Sequence, residues 1–367
     1  MTALADKLKS IIELQGPMSV SDFMGHCLSD PEHGYYMVRD PFGAKGDFVT
    51  APEVSQLFGE LLGAWCVAMW AQIGSPSAIN LVEIGPGRGT LAADLIRTAA
   101  LRGAYRDALN VHLVETSPRL RDQQEKKLAT FDQDVTWHER LDQVPGGPMI
   151  LIANELFDAL PIHQFQYRQG HWLERIVGLQ DGELVFGTGG REDVANQVMT
   201  SEAHPPEEAI VERCPVGEAL ATQIGDRIMA DGGAALLIDY GYVKPGFGDT
   251  LQALRDHAPA DILATPGEAD LTAHVNFHAL KGAASQSGAL VQGPVDQGDF
   301  LLDLGLLERA GQLGNGKSSA IQDQLHDAVE RLAAPAQMGQ LFKVMAVTQP
   351  GIPVFGLDRR AGSADAD

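Results

Sequence analysis

The stretch LVEIGPGRGT, residues 81–90, decides how this chain is read. An apolar run ends in Glu83, and glycines follow at Gly85, Gly87 and Gly89, with Pro86 and Arg88 between them. Glycines spaced this way after a strand leave bare backbone where a ligand or a neighbouring segment must come close. A P-loop needs Gly-x4-Gly-Lys-Ser/Thr, and this loop has neither that spacing nor a lysine. The dinucleotide fingerprint Gly-x-Gly-x-x-Gly fails at its third glycine, which arrives one position early at Gly89.

Glu83 separates the remaining readings. A carboxylate at the end of this strand would repel a pyrophosphate held at the following helix N-terminus. It suits a ligand that carries a sulfonium and an ammonium group. The run NVHLVE, residues 110–115, then ends a second strand in Glu115, whose two oxygens can accept both hydroxyls of a ribose. An acidic residue, three alternating glycines and a second acidic residue ending the next strand form the pattern of class I S-adenosylmethionine methyltransferases. Glu83, Gly85, Pro86, Gly87, Gly89 and Glu115 are therefore the expected cofactor-binding residues, with S-adenosyl-L-methionine as the cofactor. The alternative is an empty strand–helix turn with incidental glycines.

Outward from the loop, strands and helices alternate. INLVEI (79–84), NVHLVE (110–115), DVTWHE (134–139) and GPMILIANE (147–155) read as strands, with TLAADLIRTAALR (90–102) and SPRLRDQQEKKLA (117–129) as helices between them. Ser117 is placed to cap the second helix, with Pro118 at its first position. Apolar strands alternating with helices imply a parallel sheet with right-handed crossovers. AALLIDY (234–240), GALVQGPV (288–295) and LFKVMAVTQ (341–349) add three more strands. The expected fold is α/β, a Rossmann-like, mostly parallel seven-stranded sheet with helices on both faces. Residues 1–75 form a helical extension and lid, and 76–160 with 232–350 form the core. An inserted subdomain covers 161–231, with QG and DG hairpin turns. Substrate-side loops occupy 241–285, and 351–367 is a tail.

Bulk properties exclude several classes. The chain has 367 residues, 44% hydrophobic and 21% charged, which is enough to bury a large core. Its formal net charge of −22 repels phosphate backbones, so nucleic acid is not an expected partner. Three cysteines without CxxC spacing fit a reducing compartment and no zinc ribbon. No His/Cys cluster has metal-ligand spacing, so no metal is expected. The N-terminal MTALADKLKSIIELQGP lacks a long apolar region, and no stretch reaches transmembrane length. Together these suggest a cytoplasmic, bacterial protein without membrane insertion.

With these residues in place, the chain resembles the MidA family, bacterial relatives of a mitochondrial complex I assembly methyltransferase. The matching segments are HGYY (33–36), GDFVTAPEVSQLFGE (46–60), VEIGPGRGT (82–90), HLVETSPRL (112–120), ANELFDALP (153–161), IDYG (238–241) and PGEADLTAHVNF (266–277). The blocks 46–60 and 153–161 are far more specific than the glycine loop. The resemblance implies a class I fold with an N-terminal helical extension. For the mitochondrial member it also implies symmetric dimethylation of an arginine on a complex I subunit, and hence a protein partner with an exposed arginine. One position departs: the family usually reads Asp where this chain has Asn276.

Methyl transfer from a sulfonium needs mainly a positioned nucleophile and exclusion of water. An arginine acceptor is charged in solution, so carboxylates near the strand ends would orient it. The fourth strand delivers Asn154, Glu155 and Asp158 there, with Asn154 expected at the cofactor and the two acids in catalysis; local turn capping is the alternative. GDFVTAPE supplies Asp47 as a further catalytic candidate, Thr50 for the cofactor and Glu53 for the substrate, against a loop that merely pins helices. Tyr35, Asp239 and His274 complete the expected substrate side, although Tyr35 and His274 read equally as core or surface residues. A small-molecule O- or N-methyltransferase and a non-catalytic assembly factor remain the competing functions.

Overall fold

The computed structural model describes residues 2–39, 50–189 and 205–357. The chain divides into two compact units. The first comprises Met1–Phe48, Phe157–Glu218 and Tyr242–His278. The second comprises Val49–Leu156, Ala219–Gly241 and Ala279–Asp367. This division cuts the sequence differently from a boundary at residue 75, because the helix of residues 56–72 belongs to the second unit.

The second unit contains the glycine loop. Its strands are β1 (Ile79–Ile84), β2 (Leu109–Val114), β3 (Val135–His138), β4 (Met149–Asn154), β5 (Gly233–Tyr242), β6 (Leu290–Asp296) and β7 (Phe342–Thr348). They lie in the order β3-β2-β1-β4-β5-β7-β6. Pairing is parallel from β3 through to β5, whereas β7 runs antiparallel to both of its neighbours. Every residue of β1 and β4 is buried, as expected for central parallel strands covered on both faces. The chain leaves β1 toward β2 and returns to β4 on the other side, so the switch point lies between the carboxyl ends of β1 and β4. In open α/β sheets that is where ligands bind.

Helix α1 (Gln56–Gln72) buries Leu57, Phe58, Leu61, Leu62, Trp65, Cys66 and Met69, each worth about 1.5–3 kcal/mol for its larger apolar side chains. It packs on α2 (Thr90–Ala99) through glycines. A Cβ at Gly59 would overlap Asp94 Oδ2, and one at Gly63 would sit 2.5 Å from the Thr98 Cβ. The i, i+4 glycine pair on α1 thus fits an i, i+4 polar pair on α2. Helix α3 (Pro118–Leu128) follows β2 and is capped by the Ser117 hydroxyl, which accepts the Leu120 N–H.

The first unit has its own core of Leu4, Leu8, Phe23, Met24, Ile162, Val177 and Leu271, among others. Helices Ala3–Gln15 and Val20–Ser29 are capped by Thr2 and Ser19. Strands His163–Arg168, His171–Gln180 and Glu183–Gly189 form successive antiparallel pairs. Both connecting turns have positive φ at each position: Gln169 (50°) with Gly170 (85°), and Asp181 (53°) with Gly182 (79°). This mirror-image turn geometry matches the twist of a hairpin.

Candidate active site

The loop after β1 is built on left-handed backbone. Gly85, Gly87 and Gly89 have φ of 69°, 52° and 73°, a region that other residues enter only with strain. The Gly89 N–H donates to the Pro86 carbonyl at 2.7 Å, closing the turn, and the Gly85 N–H donates to Val114 at 3.0 Å. Gln124 on α3 donates from Nε2 to the Gly87 carbonyl at 2.7 Å.

Gly89 is the N-cap of α2 and offers no side chain to its free N–H groups. Glu83 stands at this helix start, where the Ala92 N–H lies close enough to its carboxyl to favour the charged form. The positive end of the helix is thus already occupied by an acid of the chain itself, which leaves it unsuited to a pyrophosphate. Glu83 is 4% exposed, and its Oε2 has no partner among the described residues. Burial, and then the nearby Asp94, push its pKa up to about 8, although Lys127 and the Ala92 N–H pull it down. Asp94 is raised too, chiefly by burial. Above this pair, Lys127 Nζ donates to Thr90 Oγ1 at 2.5 Å, and Thr90 donates on to Glu53 Oε1 at 2.5 Å.

Glu115 lies just past the end of β2. It accepts the Ser117 N–H at 2.8 Å on Oε1 and Gln124 Nε2 at 3.0 Å on Oε2. Each oxygen keeps acceptor capacity, since a carboxylate has about four lone-pair positions. Trp137 Nε1–H donates to Gln124 Oε1 at 2.9 Å and fixes the amide's orientation. Gln124 was not expected in the site. It is fully buried and falls in the i, i+4, i+8 series Leu120, Gln124, Leu128, a polar residue on an apolar stripe that could have flagged it.

At the end of β4, Asn154 Nδ2 donates to Glu155 Oε1 at 3.2 Å, and the Ala51 N–H donates to the same oxygen at 2.9 Å. Thr50 caps the short helix Ala51–Val54 without a side-chain bond, so Glu155 is what meets that helix start. Glu155 has φ of +51°, a rare conformation for a non-glycine residue that costs on the order of 1–3 kcal/mol. Asp239, among the last residues of β5 before Tyr242, holds this turn in place. Its Oδ2 accepts the Leu156 N–H at 3.1 Å, and its Oδ1 accepts the Tyr240 N–H at 2.9 Å. A Cβ on Gly85 would sit 2.9 Å from Leu156 Cδ1, so the β4 turn and the glycine loop are neighbours.

The other expected residues belong to the first unit. Tyr35 is fully buried, with its ring edge-on to Tyr36 at 5.2 Å. Tyr36 hydroxyl donates to Asp270 at 2.9 and 3.0 Å, and burial with Asp270 and Asp158 holds its pKa well above the usual phenol value. Asp158 is 7% exposed, and its carbonyl accepts the Ala273 N–H. The His274 N–H donates to Thr250 Oγ1, and burial lowers the ring's pKa. Thr250 in turn donates to the buried Glu212, a residue that sequence reasoning did not single out. Asn276 shares a side-chain hydrogen bond with Tyr242. Asp47 lies outside the described residues.

A glycine cradle at a switch point, a carboxylate ending β2 and a polar turn ending β4 define a class I S-adenosylmethionine-dependent methyltransferase. The chain belongs to the S-adenosyl-L-methionine-dependent methyltransferase family whose profile matches residues 61–295. It is 36% identical over 371 residues to the mitochondrial protein arginine methyltransferase NDUFAF7 of Xenopus laevis, covering 94% of this chain and 84% of that protein. The Homo sapiens protein of the same name is 34% identical over 378 residues, covering 95% and 83%. A methyl transferase candidate from Burkholderia thailandensis, solved with S-adenosyl-homocysteine, superposes with a TM-score of 0.84 at 27% identity, covering 98% of this chain and 95% of that one.

These names correct one expectation. The sequence suggested a cytoplasmic bacterial protein, whereas the curated relatives are mitochondrial proteins. Composition misled because cysteine usage and net charge report redox chemistry and solubility, not an address. Among the described residues, no helix is long and apolar enough to cross a membrane.

Proposed function

We propose that this methyltransferase acts on protein arginine, dimethylating it symmetrically on a subunit of a respiratory complex I-type assembly. The observation that carries the arginine assignment is the identity of about a third, along nearly the whole chain, to proteins named protein arginine methyltransferases. S-adenosylmethionine, when bound, supplies a methyl group on positively charged sulfur; its transfer to nitrogen leaves a neutral thioether and releases one proton.

The chain's own residues fit that group. Gly85, Pro86, Gly87 and Gly89 bring bare backbone to it, and Glu115 offers its remaining acceptor positions to the ribose hydroxyls. Glu83 holds the far side of the loop by capping α2, with Thr90, Lys127 and Glu53 as the outer support. Thr50 and Glu155 join the helix start at Ala51 to the β4 turn, and Asp239 keeps that turn in its strained form. On the acceptor side we assign Asp158 and Asp47 to the guanidinium, since carboxylates bind and orient that group in a forked geometry. Tyr35 and His274 shape the first unit around Tyr36 and Thr250.

The test is mass spectrometry of total protein, organellar protein included, from cells with and without the gene. One symmetric dimethylarginine site should vanish on deletion and return with the intact gene. Unchanged arginine methylation, with a metabolite losing its methyl group instead, would transfer the enzyme to small-molecule chemistry.

A further inference from the structure

The most exposed chemical question in the second unit is a buried atom. Asn154 ends β4 at the switch point and is 8% exposed, and its Oδ1 has no hydrogen-bond partner among the described residues. Its orientation is settled by its neighbour. Nδ2 donates to Glu155 Oε1 at 3.2 Å, and flipping the amide would set oxygen against a carboxylate oxygen. That carboxylate oxygen is itself fixed by the Ala51 N–H at 2.9 Å, so the amide is held from behind. The strained Glu155 and the Asp239 clamp on Leu156 and Tyr240 hold the same turn.

An acceptor left unpaired in the interior is normally selected against, since its desolvation is not repaid within the fold. Here it stands where the sheet presents its ligand end. The strand order places Glu115, the glycine loop and Asn154 on the successive ends of β2, β1 and β4. Glu115 and the loop supply what a ribose and an amino-acid arm require, and the β4 end remains for the group that takes the methyl. A neutral acceptor suits a nitrogen nucleophile: it can take an N–H bond and aim the nitrogen without pinning it in an ion pair.

We infer that Asn154 Oδ1 accepts a hydrogen bond from the nitrogen that receives the methyl group, making Asn154 a substrate-positioning residue selective for N–H acceptors. Glu155 and Asp239 act through it, as the residues that hold the amide in place. The inference deepens the reading above and rests on a nitrogen acceptor, though not on that nitrogen belonging to arginine.

Ligand binding tests it without turnover. Sinefungin carries an ammonium in place of the sulfonium methyl, so it brings an N–H donor to the reacting position; S-adenosyl-homocysteine brings none. In calorimetric titrations, Asn154→Leu should weaken sinefungin by roughly ten- to a hundredfold, the loss of one charge-assisted hydrogen bond, and leave S-adenosyl-homocysteine nearly unchanged. Asn154→Ser, which keeps a donor for Glu155 and withdraws the amide oxygen, should show the same selective loss and serves if the leucine variant does not fold. A parallel loss of both ligands would assign Asn154 to the cofactor's own amino groups and overturn the inference. Unchanged affinity for both would overturn it too, and wild-type protein binding neither ligand would remove it together with the cofactor site. An error in the arginine assignment appears only in the proteome comparison and leaves these affinities untouched.

Discussion

Replacing Glu83 by glutamine should stabilise the protein, and more so as pH rises. The carboxyl lies 4% exposed beside Asp94, and its pKa is pushed from 4.5 up to about 8 by burial first and Asp94 second. In the unfolded chain it titrates at its ordinary value, so between these two values the folded protein holds a proton that the unfolded chain has lost. Its contribution is fully present below pH 4.5 and is lost progressively as pH rises to about 8, because the unfolded state binds fewer protons over that span. At about 1.36 kcal/mol per pH unit, going from pH 5 to 7.5 removes roughly 3 kcal/mol. The glutamine side chain carries no such linkage. Its amide oxygen is still an acceptor for the Ala92 N–H, and its NH2 adds a donor near Asp94, whose Oδ2 has no partner among the described residues. For a unit of roughly 200 residues, 1 kcal/mol moves Tm by about 2 °C. Melting curves of the two proteins should therefore agree near pH 5 and separate by roughly 6 °C at pH 7.5, with Glu83→Gln the more stable. A gap that stays constant across this range, or a wild type that melts higher at pH 7.5, would mean the carboxylate is ionised in the fold, and the reasoning fails. Ligand binding gives an independent check. A protonated Glu83 that caps a helix does not distinguish a sulfonium from a thioether, so the ratio of S-adenosylmethionine to S-adenosyl-homocysteine affinity should survive the change. A selective loss of S-adenosylmethionine would put a charge at Glu83 facing the ligand.

Glu115→Ala removes the proposed ribose acceptor and strands the Ser117 N–H and Gln124 Nε2; S-adenosyl-homocysteine affinity should fall at least about tenfold by calorimetry, and wild-type affinity would refute the assignment. Asp239→Asn can accept only one of the two N–H groups now shared between its oxygens, so chemical denaturation should show a loss of about 1–3 kcal/mol. Gly87→Ala, at φ of 52°, should cost about 1–2 kcal/mol and weaken cofactor binding with it; unchanged values for both would show that the loop does not depend on its left-handed backbone.

Much of the second unit is legible because its signals are local. INLVEI occupies β1 from Ile79 to Ile84, and Ser117-Pro118 starts α3 where the capping pattern places it. Apolar runs of this length, bounded by glycine and capping residues, leave few alternatives to a buried parallel strand. Glu115 could be read for the same reason, as the acid one step beyond a strand. Residues that depend on distant partners were not legible. Glu155 shows no sign in sequence of its positive φ, because the turn it belongs to is held by distant partners such as Asp239, which accepts the Leu156 N–H from another strand. Gln124 joins Gly87, Glu115 and Trp137, and only its place on the apolar stripe of α3 hints at this. Glu212 and Asp270 lie in segments that sequence reading treated as insert and loop, and burial gives them partners no spacing rule supplies.

The carboxylate before the glycines is best understood by what it does to the helix behind them. A strand–loop–helix turn with a bare N-terminus binds anions by default, since its N–H groups and dipole both ask for negative charge. Glu83 stands at that start as a buried, protonated acid beside the Ala92 N–H of a helix whose N-cap is a glycine, so it fills the place an anion would take without supplying a charge. With that place occupied by a neutral carboxyl, a pyrophosphate is kept out by occupancy and not by repulsion, and on our reading selectivity comes from the strand ends on either side. On the function proposed above, Glu115 would supply it at β2 and the Asn154–Glu155 turn at β4. The same acid that rules out a pyrophosphate need not touch the cofactor at all, which is why the pH and sulfonium tests at Glu83 discriminate between a cap and a ligand contact where mere loss of activity would not.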